Sequence, residues 1–182
     1  MKKLKLFFFI GLALFFLTTQ IYSAGNSPKN SDICKLIIES KMSESINFVI
    51  MGDGFTLNDM NSGFYDRKVS EFLDKFFFVP PFEQFKNYFN VYVVYSVSRD
   101  RGADDSPGKD TKNTVFNSTF GSYGIQRLIA VQDSSAVRQY VSYATDNPHN
   151  IIILINDERY GGAGGGKIIS SHNKLVFRFG LP

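Results

Sequence analysis

Cysteine is nearly missing from this chain of 182 residues: Cys34 stands alone, so no intrachain disulfide can staple the fold. Its setting, DICKLII, is apolar and strand-like, where a lone thiol is expected as a small buried hydrophobe. Histidine is almost as scarce, with His149 and His172 alone, and no spacing links either to Cys34 as a nucleophile and base pair. Long apolar runs are absent apart from Leu6 to Leu17, which is shorter than the roughly 20 residues a transmembrane helix needs. An excess of either charge is missing too, once the amino terminus is set aside.

That terminus, MKKLKLFFFIGLALFFLTTQIYSAG, has Lys2, Lys3 and Lys5 ahead of the apolar run and Ser23 and Ala24 behind it. The order is that of a secretory signal peptide, so residues 1–24 are expected to be removed and the remainder exported. Without them the chain carries equal numbers of basic and acidic residues, 17 of each. A neutral mature chain offers no electrostatic case for nucleic acid or, after cleavage, for a membrane surface. Residues 25–32 read as a polar linker and 33–182 as one α/β domain.

Within that domain the runs Ile33–Ile38 and Ile46–Met51 read as strands joined by the turn-like ESKMSES. The second empties into Gly52-Asp53-Gly54, where Asp53 is expected to bond backbone amides of a strand-to-helix turn. Thr56 with Asp59 three residues later is a helix start, and Leu57–Phe78 then carries apolar residues at helical spacing until Pro80-Pro81. A short aromatic helix over Phe82–Phe89 precedes the near-continuously apolar strand Asn90–Val97, which fits a strand covered on both faces. RDRGADDSPGKDTKNT lacks any hydrophobic period and reads as a solvated surface loop. Its Asp100, Asp104, Asp105 and Asp110 lack the order of a calcium loop. An amphipathic helix over Ser135–Ala144, capped by Ser134 or Ser135, leads to a central strand, Ile151–Asn156. Strands alternating with helices predict a layered fold with a mostly parallel twisted sheet and flanking helices.

The segment GGAGGGKI, residues 161–168, matches the G-x-x-x-x-G-K spacing of a phosphate-binding loop. Such a loop needs a Ser or Thr hydroxyl next and a helix to follow; here Ile168 comes next and Ile169-Ser170-Ser171 favours a strand. The glycines therefore need another purpose.

Four blocks, MGDGFTLNDM (51–60), PPFEQFKNYFNVYVV (80–94), FGSYGIQRLIAV (120–131) and INDERYGGAGG (155–165), resemble in order and spacing the secreted bacterial IgA-peptidase-like metallopeptidases. The resemblance covers nearly all of the chain from Ile46 onward. It implies a metzincin-like catalytic domain: a twisted sheet with helices on it, then a zinc-binding H-E-x-x-H helix whose Glu activates a zinc-bound water. It also implies a protein or peptide substrate whose extended backbone pairs with an edge strand beside the cleft. On that reading Gly161–Gly166 is the turn into an edge strand, Lys167–Ser170, and Tyr160, Gly161, Gly162, Gly164, Lys167 and Ile168 are the candidate substrate-binding residues.

The zinc helix itself is not in the sequence. No H-E-x-x-H occurs anywhere, and His172 is followed by Asn173. Setting Phe179-Gly180 under the F-G of the family's H-E-F-G-H puts Phe177, Arg178 and Leu181 where His, Glu and His belong, and Arg178 can be neither ligand nor base. The expectation is an amino-terminal part of a zinc metallopeptidase, truncated before its catalytic helix. No catalytic residue, metal ligand or cofactor is then expected in this chain, zinc belonging to the complete family enzyme. The alternative is an exported, non-catalytic peptide-binding domain.

Overall fold

The computed structural model describes residues 29–109, 111–165 and 167–171, the last seven of these positions by backbone alone. Six strands form one sheet in the order β1-β3-β2-β6-β8-β7. They are β1 (Cys34–Ile38), β2 (Ile46–Asp53), β3 (Phe89–Val94), β6 (Asn150–Ile155), β7 (Gly162–Gly165) and β8 (Lys167–Ser171). The central pairs β2–β3, β2–β6 and β6–β8 are parallel, and antiparallel partners, β1 and β7, close the two ends. The expected mostly parallel α/β sheet with flanking helices is the fold of the protein.

Strand periodicity divides the core in two. Phe48 and Ile50 of β2, Val91 and Val93 of β3 and Ile152 and Leu154 of β6 face one side; Val49, Met51, Tyr92, Val94, Ile153 and Ile155 face the other. The first face is covered by the β2-to-β3 crossover, where α1 (Leu57–Asn61), α2 (Phe64–Phe78) and α3 (Phe82–Phe85) lie. Phe76 of α2 sits fully buried among Phe48, Phe77, Phe82 and Phe89, with ring centroids 4.5 to 5.9 Å apart. Tilted and edge-on ring pairs of this kind add about 0.5–1.5 kcal/mol each beyond the area they bury. The second face is covered by α4 (Ser134–Ser142), through Val137 and Val141, and by Phe116, Phe120 and Ile129, which lie around a two-stranded ribbon of β4 (Ser118–Thr119) and β5 (Ala130–Val131). Cys34 is buried in this second layer, where burial pushes its thiol up to about 12.

The structure corrects several local expectations. The helix read as continuous over Leu57–Phe78 is two helices, because Gly63 takes a left-handed conformation with φ +68° and ends the first turn pair. The first of them starts as expected, with Asp59 N–H bonded to Thr56 Oγ1 and Thr56 N–H bonded to Asp59 Oδ2. The cap of α4 is Asp133, whose Oδ1 accepts from Ala136 N–H at 2.9 Å, rather than either serine. Phe89 opens β3 instead of ending the aromatic helix.

Two corrections bear on the site. The segment 99–114 is more than a solvated surface loop, since Gly102, Ala103 and Asp104 are buried against the ends of β2 and β6. Lys167–Ser171 is also not the edge: it pairs with β6 on one side and with the glycine strand β7 on the other, so β7 is the outermost strand. Lacking side chains, the glycine run folds back on β8 as a strand of its own.

Gly54 makes the closest backbone approach, at φ +71°, with its carbonyl receiving Gly102 N–H at 3.3 Å; a Cβ there would meet the Gly102 backbone. Gly54→Ala is expected to cost about 3 kcal/mol, from strain and displacement of the 99–104 segment. Urea unfolding followed by circular dichroism measures it, and a cost under about 1 kcal/mol would contradict this packing.

Candidate functional site

Parallel strands of an open sheet deliver their carboxyl ends to one rim, where crossing connections leave room for functional groups. Here the ends of β2, β3 and β6 bring together Gly52-Asp53-Gly54, Ser96 and Ser98, and Asn156-Asp157. The polar side chains of Asp53, Ser96, Ser98 and Asn156 are all buried there.

Asp53 is fully buried and spends both carboxylate oxygens on one incoming loop. Oδ1 accepts from Phe116 N–H at 3.1 Å and Ser98 Oγ at 3.3 Å; Oδ2 accepts from Ser118 N–H at 3.0 Å and Thr114 Oγ1 at 3.0 Å. A carboxylate so occupied has no oxygen left for general base chemistry, and it positions the 114–118 segment over the rim. Ser98 Oγ also receives Gly54 N–H at 3.0 Å and Val115 N–H at 3.2 Å, tying the same loop to the β2 end.

A second cluster lies beside it. Asp59 is buried, and its carboxylate receives the Arg101 guanidinium, Thr56 Oγ1 at 2.9 Å and Asn156 Nδ2 at 3.3 Å. Burial pushes the Asp59 carboxyl up, but the bonds from Arg101 and Thr56 outweigh it and hold the group below its ordinary 3.8. Arg101 itself is raised by the same pairing and lies over the Phe64 ring at 5.5 Å. Asn156 Nδ2 also reaches Gly54 O at 3.0 Å, so one amide bridges β6, β2 and the helix start.

The third cluster leads to the glycine strand. Asp157 accepts from Arg159 Nε at 2.8 Å, Arg159 Nη2 at 2.7 Å and Ala103 N–H at 3.2 Å. Burial raises its carboxyl and Arg159 more than compensates, leaving it lowered. Arg159 also bonds Asp105 and Ala103 O and stacks over Phe120 at 4.1 Å. Asp59, Arg101, Asn156, Asp157 and Arg159 were not among the residues singled out from sequence. Only the Asp59 capping signal hinted at one of them.

Of the residues that were singled out, Tyr160 is exposed at the exit from this cluster. Gly161 is wedged where a Cβ would lie 2.6 Å from Phe120 Cε1 and 2.7 Å from Arg127 O. Gly162 opens β7 and gives its N–H to Arg127 O at 3.1 Å. Gly164 pairs with Ile168, and Lys167 with Gly165, inside the β7–β8 hairpin. Gly166 falls outside the described residues. The structure thus gathers this set at one end of the sheet, with the loop 120–129 fastened alongside.

Among the described residues the candidate metal donors are scattered. His149 Nδ1 accepts from Asn47 N–H at 3.0 Å and its N–H returns to Asn47 O, at the far end of β2 from the rim. His172 lies outside the described residues. The acidic loop is dispersed: Asp100 receives Asn113 N–H, Asp104 receives Thr111 and Lys112 N–H, Asp105 pairs with Arg159, and Asp110 lies outside the described residues. Among the described residues no group of three or more His, Cys, Asp or Glu side chains could hold an ion. Among the described residues, therefore, no donor set fits a zinc site of the kind the resemblance implies.

Comparison with known proteins gives one family: the profile described as IgA Peptidase M64 matches residues 35–175. Among curated proteins none matches the chain.

Two expectations follow for this rim. Asp53→Ala strands the amides of Phe116 and Ser118 in the interior, at about 1–3 kcal/mol each, so a total loss of about 3–5 kcal/mol is expected in chemical unfolding. The lowered Asp59 and Asp157 contribute stability that is fully present above the unfolded value of 3.8 and lost as pH falls through their folded values. The urea midpoint should therefore hold level from about pH 7 to 5 and drop below about pH 4. Arg101→Met should lower the unfolding free energy by about 2 kcal/mol already at pH 7, and a variant matching the parent there would refute the pairing.

Proposed function

The chain belongs to the IgA Peptidase M64 family, and on that premise we propose that it is an exported amino-terminal part of a zinc metallopeptidase that grips an extended peptide without cleaving it. The observation that carries the gripping role is β7, an antiparallel glycine strand at the outer end of the sheet with no strand pairing its far side among the described residues.

Residues of an antiparallel strand turn their amide and carbonyl alternately toward and away from the partner. Gly162 gives its amide to Arg127 instead of β8, so it faces outward, and Gly164, two residues on, presents its backbone groups on the same side. An added peptide strand finds its main-chain partners there, and the absence of a Cβ lets it come close. Tyr160 and Gly161 lead into that edge, while Lys167 and Ile168 of β8 back it through the β7–β8 ladder.

Cleavage is a separate matter. The family's chemistry, water activated on zinc, calls for His and Glu at H-E-x-x-H spacing, and this sequence contains none. The carboxylates at the rim are engaged in holding the fold. Export rests on residues 1–24, whose charge and apolar order is that of a leader. If no activity is retained at all, the same edge makes a stand-alone exported peptide-binding domain.

The exported protein is expected to retain arrayed ten-residue peptides in pull-down, to leave them intact, and to behave identically with and without a chelator. Gly164→Pro removes one outward amide without touching the β8 ladder, and should reduce peptide retention at least tenfold while the melting temperature stays within a few degrees. Retention unchanged in Gly164→Pro, or chelator-sensitive cleavage, would sink the reading.

A further inference from the structure

We infer that the loop 121–127 is a specificity element of the β7 edge, in which Tyr123 and Ile125 select peptides bearing a large apolar side chain; the inference rests on the peptide-binding reading of β7. The loop is fastened directly to that strand. Arg127 O receives Gly162 N–H at 3.1 Å, and Gly161 packs against Phe120, Arg127 O and Ile129 at distances that leave no room for a side chain. Since Gly162 points outward, Arg127 occupies the line along the outer side of β7 that an added strand would continue past Gly164. A peptide paired there runs end to end with residues 125–127, and its first side chains meet the tip of the loop.

At that tip the sequence has put apolar surface where folding gives no reason for it. Tyr123 is 90% exposed and Ile125 51% exposed, whereas among the described residues most other aromatic side chains lie in or against the core. Tyr123 also holds φ +56° and ψ +26°, a left-handed conformation that a bulky residue adopts only at a cost and that glycine would adopt freely. Glycines already stand at Gly121 and Gly124, each with positive φ, so the turn has the residues it needs. The tyrosine is therefore strained, unburied and dispensable to the fold. Such a residue beside a binding edge is explained by contact with the occupant.

The rest of the loop is well held. Gly121 N–H and Ser122 N–H bond Gln126 O and Leu128 O, and Ser122 Oγ bonds Thr119 O. The tip is thus presented on an anchored frame, which keeps the ordering cost on binding low. Between Phe120 and Leu128 the one charged side chain is Arg127, so the surface offered is apolar with a single positive charge. A peptide carrying Phe, Leu, Ile or Met at the position that meets the tip fits it; one carrying Lys or Arg does not.

The test compares the full chain with Tyr123→Gly and with Ile125→Ser on the same arrayed peptides, scanning each position through all side chains. Wild type is expected to prefer large apolar residues at one position about tenfold over Ala. Both variants should lose that preference while still retaining the Ala-containing peptides, and Tyr123→Gly should be at least as stable as wild type because its strain is relieved. An unchanged preference in both variants overturns the role of the loop and leaves the edge reading standing. Failure of the wild type to retain any peptide overturns both together.

Discussion

One buried carboxylate organises the functional end of this protein. Asp53 closes β2 in the interior, where a charged group is tolerable only if every lone pair is engaged. Four donors meet that demand, two of them main-chain amides of residues 116 and 118. Satisfying Asp53 therefore fixes a segment more than 60 positions away in the chain. That segment brings Phe116 and Phe120 onto the sheet and begins the ribbon whose far end fastens the start of β7. The glycine strand is placed at the end of a sequence of constraints that starts at one side chain.

The polar rim and the apolar layers divide their tasks. The aromatic layer of α2 and the thinner layer under α4 supply most of the burial and fix which way each strand faces. The rim adds direction: Asn156 joins three elements through one amide, and Arg159 joins Asp157, Asp105, Ala103 and Phe120 through one guanidinium. Buried or half-buried polar networks of this sort contribute less to net stability than to holding a single arrangement. An edge strand of three glycines and one alanine needs such support, because almost nothing of its own packs it into register.

Much of the fold was legible along the chain because it is written in local periodicity. Val49 to Met51, Val91 to Val94 and Ile152 to Ile155 are apolar runs that only a doubly covered strand explains, and Thr56 with Asp59 marks a helix start whatever surrounds it. Two of the four blocks that carried the family resemblance, MGDGFTLNDM and INDERYGGAGG, prove to be the β2 and β6 ends. What escaped was whatever depends on a partner distant in sequence. Gly63 looked like an ordinary position in an amphipathic run, and Asp104 like a solvated acid, until the neighbours that use them were in place. Arg101 and Arg159 carried no signal at all, since an arginine in a polar loop is indistinguishable from a solvated one before its carboxylate is known.

The sequence by itself determined the layered α/β character, the strand faces and the kinship, for these follow from side-chain type at spacings of two and three to four residues. The absence of any H-E-x-x-H spacing among these 182 residues is likewise read from the sequence alone. Tertiary structure alone decided which strand is the edge. GGAGGGKIISS has no apolar-polar alternation to assign its faces, and its glycine half has almost no side chains to prefer one neighbour over another. Its order in the sheet was settled by what β6 and Arg127 offer to pair with, and that placed the glycines outermost and Lys167–Ser171 within.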